Sequence, residues 1–137
     1  MQSNPYLSFN GQCEAAFKFY EKLLGGRITY SQTWGNSPAC EAMPPEAQDL
    51  IMHTTLDLGD STLMGADSPP NQYEEPKGMH ITLHFKEKDE AERVFQALAE
   101  GGKIQMPFAP TFFSIGFGMC ADRYGIPWMV LAEQPAA

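Results

Sequence analysis

The sequence predicts an α+β protein built from two tandem βαβββ modules whose strands form curved mixed sheets. Two observations carry that expectation. A strand, a helix and a further strand follow one another twice in the chain, and the two occurrences align without a gap at an offset of 76 residues. Each helix is also stopped by a Gly-Gly pair, at Gly25-Gly26 and again at Gly101-Gly102.

Taken in order, Tyr6 to Phe9 alternates polar and apolar residues and stops at Asn10-Gly11, the pattern of a short strand and a turn. From Glu14 to Leu24 the residues Ala16, Phe17, Tyr20, Leu23 and Leu24 recur at helical spacing. Arg27 to Trp34 has the β-branched and aromatic content of a strand. Gly35 to Gln48 is prolyl and aperiodic, a long loop. Asp49 to Asp57 and Ser61 to Ala66 make a hairpin around Leu58-Gly59-Asp60. Asp67 to Gly78, with Pro69, Pro70 and Pro76, reads as a linker.

The order then restarts. His80 to Phe85 is a strand, Lys88 to Glu100 a helix and Lys103 to Met106 a strand. Thr111 to Val130 is an aromatic-rich hairpin around Asp122-Arg123-Tyr124-Gly125. At the 76-residue offset Leu7, Phe9, Glu14, Ala15 and Phe19 meet Leu83, Phe85, Glu90, Ala91 and Phe95, and Gly25, Gly26 and Ile28 meet Gly101, Gly102 and Ile104. Module one is therefore placed at 1–66, the linker at 67–78 and module two at 79–137.

At 137 residues the chain is long enough for one substantial core. Its net charge of −8 and nine scattered Lys and Arg residues oppose a nucleic-acid partner, which would need a clustered basic face. The three cysteines include no CxxC pair, so free thiols are expected rather than disulfides or a zinc site. The start lacks a basic, apolar signal pattern, and no apolar run approaches the ~20 residues of a membrane helix. A cytoplasmic protein without membrane contact is the expectation.

A helix covers one face of each sheet, so the other face is left concave. Alternation puts Leu7, Phe9, Ile81, Leu83 and Phe85 under the helices and turns Asn4, Tyr6, Ser8, His80, Thr82 and His84 to the concavity. Trp128 should point into the core, and Phe112 and Phe113, at the start of a strand, could roof the pocket. His53 could reach the same cavity as an acid or base, with an inert hydrogen-bonded strand histidine as the alternative.

The βαβββ duplication, the run Phe9-Asn10-Gly11-Gln12-Cys13-Glu14-Ala15-Ala16-Phe17-Lys18-Phe19-Tyr20 and the ending Asp122-Arg123-Tyr124-Gly125-Ile126-Pro127-Trp128-Met129 resemble the vicinal-oxygen-chelate superfamily. That superfamily holds glyoxalase I, bleomycin-resistance proteins and extradiol dioxygenases. The resemblance is closest to its PhnB-like branch, which often carries a demethylubiquinone methyltransferase label, and it covers nearly the whole chain. A Rossmann methyltransferase would need a Gly-rich strand-to-helix turn and a larger parallel sheet, and the sequence has neither.

The resemblance implies four metal-ligand positions, one on the first and one on the last strand of each module. Carried over, these fall on His80, on Asn4 or Pro5 with the repeat favouring Asn4, on Met129 and near Leu63 or Met64. Only His80 is a good ligand for a hard or borderline ion, so no cofactor is expected and a divalent metal is disfavoured. His80 and His84 share the His-x-x-x-His spacing of helical zinc sites, but in a strand that spacing separates them by roughly 13 Å.

The expected function is thus binding of an unidentified small organic molecule. Tyr6, Ser8, His80, Thr82 and His84 would supply polar contacts, and Leu63, Phe112 and Met129 apolar ones. The resemblance also implies a homodimer. The alternative is an enzyme, either metal-dependent and glyoxalase- or dioxygenase-like, or metal-free with His80 or His84 as base.

Overall fold

The computed structural model describes residues 1–133. The chain divides into two compact units, Met1–Glu74 and Glu75–Ala137. Unit one holds β1 (Tyr6–Phe9), α1 (Cys13–Leu24), β2 (Arg27–Thr33), β3 (Ile51–Asp57) and β4 (Thr62–Asp67). Unit two holds β5 (Ile81–Phe85), α2 (Lys88–Ala99), β6 (Lys103–Ala109), β7 (Ser114–Ala121) and β8 (Pro127–Glu133). Each is a βαβββ module with a four-stranded mixed sheet. The strand orders are β1-β4-β3-β2 and β5-β8-β7-β6, and in each sheet the first and last strands run parallel.

In both units alternation selects the core. Leu7 and Phe9 of β1 are buried, and they meet Phe17 and Tyr20 from α1 with Leu56 and Leu63 from the sheet. In unit two Val94, Phe95 and Leu98 of α2 cover Cys120, Trp128 and Val130. Each large side chain so buried is worth about 1.5–3 kcal/mol of transfer free energy. The helix lies close to the sheet because glycine stands where a side chain would collide. A Cβ at Gly65 would lie 2.8 Å from the Phe17 ring and 2.8 Å from the Leu7 carbonyl oxygen, and one at Gly118 would lie 2.7 Å from the Phe95 ring.

The two Gly-Gly stops have a division of labour. Gly25 and Gly101 both sit at φ 76°, the left-handed region that releases a helix into its next strand. Gly26 and Gly102 allow close approach instead: a Cβ at either would run into the main chain around Asp57 or Asp122.

Two buried carboxylates complete the frame. Asp67 accepts Cys13 N–H (3.0 Å) and Ile51 N–H (2.9 Å), so it ties the start of α1 to the start of β3. Asp122 accepts Tyr124 N–H (2.8 Å), Ile126 N–H (3.0 Å) and the Trp128 indole N–H (2.8 Å), which sets the β7–β8 turn and anchors the core tryptophan. Trp128 is fully buried, as its alternation implies.

Several boundaries differ from the sequence expectation. Asp67, placed at the head of the linker, is the last residue of β4 and is buried by its carboxylate role. The segment 35–48 contains two short 3-10 turns, Cys40–Ala42 and Pro45–Ala47. The Gln48 side chain stabilises them by donating to the carbonyls of Cys40 and Met43, both at 2.8 Å. β6 continues past Met106 through Pro107, which an edge strand tolerates. Thr111 to Phe113 is a bend ahead of β7, closed by Thr111 N–H on the Ser114 carbonyl at 3.1 Å.

Candidate functional site

The sheet face away from α1 carries the candidate site of unit one. Register places Tyr6 opposite Met64, Met64 opposite Thr55 and Thr55 opposite Tyr30, so one row crosses all four strands. Ser8 and Ala66 stand opposite each other two residues along, and His53 is opposite Gln32. His53 is held from three sides. Its Nδ1 is 3.0 Å from the Tyr6 hydroxyl and its Nε2 is 3.2 Å from Thr55 Oγ1. With the phenol donating to Nδ1, the ring proton sits on Nε2 and donates to Thr55. The Tyr6 ring stacks on the imidazole (5.6 Å between centroids, 28° between planes), and the Tyr30 ring is tilted against it at 5.8 Å. Burial foremost pushes the Tyr6 phenol above its ordinary pKa, so it stays a donor at neutral pH, and a thiolate at Cys13 would add to the rise.

The corresponding row of unit two is chemically different. Thr82 stands opposite Met129, Met129 opposite Met119 and Met119 opposite Met106. Thr82 Oγ1 is 3.8 Å from the Met129 sulfur. In the next row His84 is opposite Leu131 and Leu131 opposite Phe117. Polar pairs bound this apolar floor. His80 Nε2–H donates to Gln105 Oε1 at 2.9 Å, and His84 Nδ1–H donates to Glu133 Oε1 at 2.7 Å. His80 precedes β5 and Gln105 lies on β6, the two edge strands of this sheet, so their bond spans the face and requires the sheet to curl.

Of the residues read from the sequence, Tyr6, Ser8, Thr82, His84 and Met129 lie on these faces, and His80 lies at the mouth of β5. Leu63 does not. It is 2 % exposed and belongs to the core beneath α1, because β4 alternates the opposite way, and Met64 takes its place on the open face. Phe112 is also misplaced: it projects from the bend at 94 % exposure and roofs no strand, its ring set edge-on to Phe113 at 5.2 Å. Tyr30, Met106, Met119 and Gln105 also belong to these faces, which alternation in the sequence does not indicate. Register shifts between Ile28 and Tyr30 and between Ile104 and Met106 break simple alternation there.

The donors at the carried-over metal positions do not fit a divalent ion. Met129 stands beside Thr82, not His80, and Met64 stands beside Tyr6. Of the carried-over positions His80 alone is a good donor, and the thioethers of Met129 and Met64 are poor partners for a hard or borderline cation. Among the described residues, no three His, Cys, Asp or Glu side chains are grouped to hold one. No helix among them is long and apolar enough to cross a membrane.

Comparison with known proteins places these units. A family model described as 3-demethylubiquinone-9 3-methyltransferase matches residues 2–131. Protein YjdN of Escherichia coli is 33% identical over 145 residues, covering 98% of this chain and 99% of the relative. The crystal structure of PA1353 from Pseudomonas aeruginosa is 46% identical with a TM-score of 0.90, covering 98% of this chain and 99% of that one. A PhnB protein of Bacillus cereus, whose name carries the same methyltransferase label, is 25% identical with a TM-score of 0.81 over 96% of this chain and 99% of its own. The fosfomycin resistance protein FosX of Listeria monocytogenes, 11% identical with a TM-score of 0.66 over 98% of this chain and 94% of its own, shares the fold alone.

Proposed function

Because the chain belongs to the 3-demethylubiquinone-9 3-methyltransferase family, a PhnB-like branch of the vicinal-oxygen-chelate superfamily, we propose that it binds a small organic molecule without using a divalent metal. The observation that carries this reading is the pairing on the first and last strands of each unit. Tyr6 with Met64, and Thr82 with Met129, present groups suited to an aromatic or apolar ligand with a hydrogen-bonding edge, beside carried-over metal positions of which His80 alone is a good ligand. On the open face of unit one Tyr6 and Ser8 supply polar contacts; on that of unit two His80, Thr82 and His84 supply polar contacts and Met129 an apolar one. Leu63 drops out of that set, being buried in the core.

Binding is tested by a thermal-shift screen of small acids, quinones and phosphonates. A ligand at a hundred times its Kd stabilises by about 2.7 kcal/mol, a rise of several degrees in Tm. Elemental analysis of protein purified without chelator tests the metal-free part: a stoichiometric divalent ion, lost in His80→Ala, would overturn it.

A second reading, metal-free acid–base catalysis, is favoured by the Tyr6–His53–Thr55 hydrogen-bond chain. Turnover of a stabilising compound by the wild type, abolished in His53→Gln, would establish it in place of simple binding. Assembly as a homodimer belongs to the same proposal. The exposed Phe112, Phe113 and Ile104 side chains of unit two support it, and light scattering of the purified chain checks it.

A further inference from the structure

The methionine row of unit two admits a ligand of another class. Met106, Met119 and Met129 occupy three consecutive strands, and each is opposite the next, Met106 in a single pair flanked by register shifts. Directly opposed residues on antiparallel strands have Cβ atoms about 4.5–5.5 Å apart, and a methionine has three rotatable bonds beyond its Cα. The Met129 sulfur rests 3.8 Å from Thr82 Oγ1 on the β5 side, and by leaving that weak contact it can turn with the other two toward one point above the middle strand. The row lies on the face opposite the α2-covered core of Cys120, Trp128 and Val130, so core packing does not consume it. Met106 is 46 % exposed, and Met119 and Met129 are half-buried, so the thioethers are open to an ion from solvent.

We propose that Met106, Met119 and Met129 bind a soft monovalent ion, Cu(I), through their three thioether sulfurs. The chemistry follows from the donors. Thioethers are neutral and polarisable, and they select Cu(I) over magnesium, calcium or manganese, which want oxygen. They also carry no proton to be displaced. A thioether site therefore holds its ion equally well at pH 5 and pH 8, whereas a thiolate or imidazole site weakens as its ligands protonate. That difference separates the row from Cys40, the half-buried thiol of unit one, and from His80 and His84.

The test uses the full chain carrying Cys40→Ser, with Ag(I) as a redox-inert probe and Cu(I) under anaerobic competition with a colorimetric chelator. One equivalent should bind with the same affinity at pH 5 and pH 8. In protein labelled at the methionine methyl carbons, the resonances of Met106, Met119 and Met129 should shift together. The triple variant Met106→Leu, Met119→Leu, Met129→Leu should lose about a hundredfold or more in affinity while keeping its far-ultraviolet circular dichroism. No binding by the parent protein, unshifted row resonances, full affinity in the triple leucine variant, or a steep loss of affinity at pH 5 would each overturn the proposal. Organic-ligand binding is scored apart from this, by thermal shift of the Cys40→Ser parent in the absence of Ag(I) and Cu(I), so the organic-ligand reading stands or falls separately.

Discussion

Unit one and unit two repeat the same order of elements, with the same glycine stop after each helix, yet they present opposite chemistries on their uncovered faces. In unit one the row Tyr6, Met64, Thr55 and Tyr30 surrounds a histidine whose two nitrogens are both engaged. In unit two the matching row is Thr82, Met129, Met119 and Met106, and its histidines have moved to the margins. The difference shows what a duplicated fold constrains. The covered faces must pack a helix against a sheet, so large apolar side chains and well-placed glycines recur. The uncovered faces are free of that packing demand, and there the two copies have diverged.

The frames can be set against each other by mutation, and the largest effects should come from the buried aspartates. Asp122→Ala strands two main-chain N–H groups and the Trp128 indole, and should cost about 4 kcal/mol. Asp67→Ala strands two N–H groups and should cost about 3 kcal/mol, both read from urea unfolding. Equal losses would mean that the indole bond adds nothing and that the two frames are equivalent.

The glycines beneath the helices come next. Gly65→Ala presses on both the Phe17 ring and the Leu7 carbonyl oxygen, and main chain cannot step aside. Gly118→Ala meets the Phe95 ring, which can tilt. Overpacking should therefore cost about 2 kcal/mol in unit one and about 1 kcal/mol in unit two. Chemical denaturation of the two variants ranks them, and the reverse order would show that unit two is the more rigid.

The smallest effect is a pH dependence from the buried thiols. Burial foremost, then the charge of Asp122, pushes Cys120 up to about 11 from an ordinary 9.0. Burial, then Asp67 and Glu14, pushes Cys13 higher still. Both groups have folded pKa values above their unfolded ones, so the unfolded chain releases protons first as pH rises. The stability they contribute is complete below pH 9 and is lost as pH climbs through about 11 for Cys120, and beyond that for Cys13. Cys120→Ala should flatten the fall between pH 9 and 11 while leaving the part above it. An unchanged slope in the urea midpoint would assign the fall to other groups.

Much of this was legible from the chain alone, and the limits have physical causes. Leu63 was misread because a metal-ligand position carried over by resemblance is uncertain by one residue, and one residue in a strand exchanges the core for the open face. Phe112 was misread because a strand was started too early, before a bend that Thr111 and Ser114 close with a 2.7 Å hydroxyl pair. Tyr30 and Met106 lie just past register shifts, where alternation stops indicating direction.

By itself the sequence determined the duplication, the helices, the covered core face and the family, since these rest on local periodicity and on glycines required wherever backbone turns or closely approaches. The tertiary structure decided which side chains meet across strands. The His53 cluster, the His80–Gln105 bridge, the methionine row and the carboxylates of Asp67 and Asp122 join residues distant in sequence or set by the path of a turn. Their register depends on bulges and sheet curvature, and neither leaves a periodic mark in the chain.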